Sequence, residues 1–82
     1  MPTILRLDGL RVVIYPNDHR PMHVHVIGGG CEAVFDLETQ SGQPGLRENY
    51  GFSAMDIRRI RTQLAKHSKL LIDGWRRIHG EQ

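Results

Sequence analysis

MHVHVIGGGCEAVFDL, residues 22–37, decides the fold, because one pairing of its two halves keeps the apolar side chains together. Successive side chains of a strand point to opposite faces, so Met22, Val24 and Val26 form one set and His23, His25 and Ile27 the other. With Gly29-Gly30 as a two-residue loop, Gly28 lies opposite Cys31, Val26 opposite Ala33, Val24 opposite Phe35 and Met22 opposite Leu37. The apolar sets then coincide, whereas a slip of one residue throws them onto opposite faces. The same register sets His23 opposite Asp36, His25 opposite Val34 and Ile27 opposite Glu32. The second face of the hairpin is therefore expected to carry histidines and carboxylates.

Working outward from this hairpin, Asp8-Gly9 between the apolar runs Thr3–Leu7 and Leu10–Tyr15 marks another two-residue hairpin. Pro16, Asn17, Asp18, Arg20 and Pro21 form the loop that follows, since proline lacks the amide donor and Asn and Asp favour turns. On the far side, residues 41–45 read as loop and Leu46–Asn49 as a short edge strand. Ser53 is placed to cap a helix, with Asp56 three residues on and Phe52 before the cap as a hydrophobic staple. Apolar residues then recur as Ile57, Ile60, Leu64, Leu71, Trp75 and Ile78, a 3.6-residue spacing with a polar slot at His67 or Ser68. The expected helix spans residues 53–79, with a bend or split allowed at 66–69, and Gly80 ends it. Trp75 is expected to anchor the core. The fold class is α+β: an antiparallel sheet of four or five strands packed under a long C-terminal helix, with residues 1–82 as a single domain.

Composition is consistent with this reading. The chain has 82 residues, of which 39% are hydrophobic and 24% charged, as in ordinary folded domains. A chain of this length builds little more than one sheet and one helical layer, so homodimerisation or a partner would help it. Cys31 is the only cysteine and so forms no internal disulfide. With no leader-like opening, the expectation is a cytoplasmic protein. No apolar run approaches the roughly 20 residues that span a bilayer, so no membrane partner is expected. The net charge of +2 permits nucleic acid without demanding it. Within the helix, Arg58, Arg61, Lys69 and Arg76 share one flank, a candidate surface for phosphates.

Residues 17–26, NDHRPMHVHV, together with Glu32-Ala33, Asp36, the stretch LRENYGFS and the closing LLIDGWRRIHG, resemble the bacterial domain of unknown function 4160 family over essentially the whole chain. Its signature is Asn-Asp-His, a proline, then His-x-His; Met22 stands where many members carry a second proline. The resemblance implies a small toxin-like protein of a type II toxin-antitoxin pair, with a small antitoxin-like protein as its cognate partner.

Three readings of the histidines compete. In the first they are structural: Asp18 caps the loop, His19 bonds backbone carbonyls and His23 pairs with Asp36 across the strands. The second is a metal site, zinc by preference, held by His23 and His25 with His19 or a carboxylate as third ligand. The third is metal-free acid-base cleavage of RNA. Histidines suit both proton transfers; His23 is oriented by Asp36, His19 or His25 is its complement, and Arg20 stabilises charge on phosphorus. That third reading is the favoured expectation, with no cofactor and with a metal- or partner-binding module as the alternative. Asn17, Asp18, Glu32 and Asn49 are the expected binding residues around the cluster; Asn49 either closes a loop or approaches the histidine face.

Overall fold

Five strands run in chain order across one antiparallel sheet in a computed structural model that describes residues 3–80. They are β1 (Thr3–Leu7), β2 (Leu10–Val13), β3 (His23–Gly28), β4 (Cys31–Asp36) and β5 (Gly45–Tyr50). Both tight hairpins form because their loop residues accept positive φ: 42° and 82° at Asp8 and Gly9, 57° and 79° at Gly29 and Gly30. Two consecutive positive φ angles match the right-handed twist of the flanking strands. The β3–β4 register is the expected one, pairing His23 with Asp36, Val24 with Phe35, Val26 with Ala33 and Gly28 with Cys31. Beyond the ladder, the Leu37 N–H donates to Met22 O at 2.8 Å and extends the pairing.

The single long helix expected over residues 53–79 is corrected to two, α1 (Ala54–Lys66) and α2 (Ser68–His79), separated at His67 with φ −115° and ψ 22°. The break falls in the polar slot of the apolar stripe, and Ser68 opens α2, serine being better suited to a helix start than to a helix interior. At the other end of α1, Ser53 Oγ accepts from the Asp56 N–H at 3.1 Å, the expected cap.

Val24, Val26, Ala33 and Phe35 are fully buried beneath Ile57, Ile60, Leu64, Leu71 and Trp75, while Ile78 is only partly covered. Gly74 lets α2 approach the sheet closely, since a Cβ there would stand 3.3 Å from Ile4 Cγ2 of β1. The second face is less open than its histidines and carboxylates suggest. Val13 is 0%, Val34 4% and His23 5% exposed. β2 ends at Val13, two residues before the expected end, and the chain from Tyr15 onward turns back toward the start of β3.

Candidate metal centre

The segment joining β2 to β3 folds on itself within four residues. The Asp18 N–H donates to Tyr15 O at 3.0 Å, and the Tyr15 N–H donates to Asp18 Oδ2 at 3.1 Å. Asp is favoured in such turns because its side chain can bond nearby backbone amides. This double tie holds the carboxylate at the start of β3, where strand alternation sets His23 and His25 on one face. Asp18 Oδ2 lies 3.4 Å from His23 Nε2 and 3.2 Å from His25 Nε2. All three atoms fall within 4.8 Å of one another.

Each imidazole is also tied through its other nitrogen. His23 Nδ1 lies 2.8 Å from Pro21 O, and His25 Nδ1 lies 3.2 Å from Glu32 Oε2. Carbonyl and carboxylate oxygens only accept, so each Nδ1 is placed to donate, and a neutral ring with its proton there presents a lone pair at Nε2. In that tautomer the two lone pairs and the Asp18 carboxylate oxygen converge, and a cation among them relieves the repulsion. Metal-ligating histidines commonly donate the far N–H to a carboxylate or a backbone carbonyl, which fixes the tautomer and the ring plane.

A proton or a metal ion can serve as that cation. Charge-assisted N–H to carboxylate bonds run at about 2.7–2.9 Å. Ligand atoms about 2.0–2.1 Å from a tetrahedral zinc ion stand about 3.3–3.4 Å apart. The 3.2 and 3.4 Å spacings from Asp18 Oδ2 leave room for such an ion, and the shorter one is also a hydrogen-bond distance, like that of His25 Nδ1 to Glu32.

Aromatic rings enclose the cluster. Tyr15 meets His25 edge-on at 4.7 Å, Trp75 lies 5.3 Å from His23, and His79 stacks on Trp75 at 4.0 Å. The His79 ring lies between two carbonyls, with Nδ1 3.0 Å from Trp75 O and Nε2 2.9 Å from Asp18 O. α2 is thereby connected to the residue that supplies the carboxylate. The side chains of His23, Asp18 and His25 are 7%, 15% and 15% exposed, so any approach from solvent is narrow.

The structure gathers part of the expected site and disperses the rest. His23, His25, Asp18 and Glu32 come together. His19 is exposed and lies outside the cluster, and the third group beside His23 and His25 is Asp18. Asp36 faces His23 in the register, yet its carboxylate accepts from Arg47 of β5, so Asp36 does not orient His23. Arg20 engages Glu38, and Asn17 is exposed. Asn49 closes the loop into α1: its Nδ2 donates to Phe52 O at 2.9 Å and its Oδ1 accepts from the Phe52 N–H at 3.1 Å. Arg58, Lys69 and Arg76 are exposed on the helices, Arg61 is half-buried, and Lys69 pairs with Asp73 at 3.3 Å. His79 is not among the expected site residues, although its place four residues after Trp75 sets it on the same helical face. Away from the cluster, the Tyr50 phenol donates to Glu48, and that bond with its negative charge holds the phenol above its ordinary pKa.

No helix among the described residues is long and apolar enough to cross a membrane. No curated protein and no solved structure matches the chain. The family described as Domain of unknown function (DUF4160) matches residues 9–76, a span that includes the β2–β3 turn, both histidines, Glu32 and most of the helical layer. On that match, the chain belongs to the DUF4160 family.

Proposed function

We propose that this protein is a metal-binding domain in which Asp18, His23 and His25 hold one divalent transition ion, zinc by preference. The observation that carries the proposal is the convergence of two Nε2 atoms on one Asp18 oxygen while both Nδ1 atoms are held by acceptors. Zinc suits imidazole and carboxylate together. Two histidines and a carboxylate also bind iron(II), and the metal analysis below distinguishes the two ions.

Three protein ligands leave a fourth position open, the composition of zinc sites that act on a substrate rather than of closed structural sites. A metal held there supplies Lewis-acid chemistry, and the narrow opening restricts it to a small group or to the protruding end of a larger molecule. The buried His23 is poorly placed to act alone on a ribose hydroxyl, because a general base must come within hydrogen-bond reach of the proton it takes. RNA cleavage by this protein is accordingly expected to depend on the metal.

Metal analysis of the purified protein, followed by RNA cleavage assays with and without a chelator, tests the proposal. One zinc per chain, lost in Asp18→Asn, is the expected result, with any cleavage lost on chelation. A folded protein that takes up no zinc overturns it, and cleavage that survives chelation returns the chemistry to acid-base catalysis.

A further inference from the structure

At the other end of β3 from the histidines, a cleft of about 310 Å³ opens between the two hairpin turns and α1. Its walls include Leu10, Phe52 and the buried Ile60. Asp8 stands on one side at the β1–β2 turn, and Asp56, Arg59 and Gln63 line the other side along a single stripe of α1. Pockets that bind small molecules combine an apolar lining with a few polar groups that fix orientation, and this volume lies at the small end of their range of about 300–1,000 Å³.

The polar groups of this cleft lack the partners that their spacing would allow. Residues three apart on a helix are surface neighbours and commonly pair when oppositely charged. Asp56 and Arg59 do not: their charged groups make no ion pair with each other or with any other described residue. The side chains of Asp8 and Gln63 are likewise without a hydrogen bond among the described residues. Two carboxylates, a guanidinium and an amide thus border an apolar cleft without pairing with one another. A rise of about 1.5 Å per residue separates Asp56 from Arg59 by about 4.5 Å along the helix axis, and Gln63 follows one turn later.

We infer that this cleft binds a small zwitterion with an apolar side chain, the chemistry of a free apolar α-amino acid. The ammonium group is received by Asp8 and Asp56, the carboxylate by Arg59 with Gln63, and the apolar side chain enters between Leu10, Phe52 and Ile60. A cation alone would leave Arg59 unanswered, and an anion alone would meet two carboxylates. The site shares no residue with the proposed metal centre and does not depend on it.

Amide NMR spectra of the isotopically labelled protein, titrated with leucine and with phenylalanine up to about 10 mM, test the inference. Shifts at the amides of Gly28, Gly29 and Gln63 are expected with at least one of the two. 4-Methylpentanoate, which lacks the ammonium, and 3-methylbutylamine, which lacks the carboxylate, should each bind about tenfold more weakly or worse, because each loses a charge-assisted contact. Arg59→Gln, at an exposed position, should leave the free protein's spectrum native-like and reduce leucine binding to that of 3-methylbutylamine. An absence of shifts with both amino acids overturns the inference. So does equal binding of leucine and its two controls, or leucine binding unchanged in Arg59→Gln.

Discussion

Replacing Asp18 by asparagine separates the metal from the fold, because the two side chains have nearly the same shape. The amide oxygen of the substituted side chain can still accept from the Tyr15 N–H, and the backbone bonds to Tyr15 and His79 are unaffected by the change. What is lost is the negative charge and the anionic ligand between His23 Nε2 and His25 Nε2. Zinc that binds the folded but not the unfolded chain adds about 2.7 kcal/mol of stability at a free concentration one hundred times its Kd. In a domain of this size each kcal/mol moves the melting temperature by about 4–8 °C, so saturating zinc should raise the wild-type value by about 10–20 °C. Circular dichroism melts with zinc and with chelator read this shift. Trp75 fluorescence gives a second signal, since its indole lies 5.3 Å from the His23 ring and 4.0 Å from that of His79. Asp18→Asn should melt close to the chelated wild-type protein and show little response to zinc. An equal zinc shift in wild type and Asp18→Asn would refute Asp18 as a ligand, and no shift in either would refute the metal centre.

Glu32→Gln keeps an acceptor for His25 Nδ1 but removes its charge, and should weaken zinc by about 10–100-fold in competition with a chromophoric chelator. An unchanged affinity would remove Glu32 from the site. His19→Ala should leave zinc affinity unaltered, as befits an exposed side chain outside the cluster; a large loss would restore it as a ligand. Zinc affinity should fall on acidification because protons compete with the metal for its ligands. A flat profile would mean that imidazole is not bound to the metal. Trp75→Ala should cost about 3–5 kcal/mol in urea denaturation, since the side chain is 1% exposed. A loss below about 1 kcal/mol would contradict its place in the core.

The hairpins were legible because the physics that forms them is local. Two positive φ angles at a glycine-bearing turn and the alternation of Met22, Val24 and Val26 against Ala33, Phe35 and Leu37 leave one register that buries one face. The helical layer was legible to the same depth from its apolar period. The split at His67 was less so, because a polar slot in a stripe can be spanned by a continuous helix or become a break. The choice rests on how α1 and α2 lie on the sheet, which no local pattern records. The close approach of Gly74 to Ile4 is a contact of that kind.

For the site, the sequence register identified a real neighbour but the wrong partner. Asp36 is opposite His23, yet a cross-strand position does not decide where a carboxylate bonds when a guanidinium lies on the next strand, and Arg47 of β5 takes it. The carboxylate that serves the histidines comes from a loop residue five positions before His23, whose two bonds to Tyr15 return it over the strand start. In sequence that residue carries only a turn signal, because aspartate in a loop after proline is most often there to bond its own backbone. Asp18 does bond its backbone, and doing so brings the same Oδ2 to both Nε2 atoms. Turn chemistry and the proposed metal ligation are thus carried by one side chain. Only the first is written locally; the second depends on where the turn places the carboxylate relative to a strand whose histidines are held by Pro21 and Glu32.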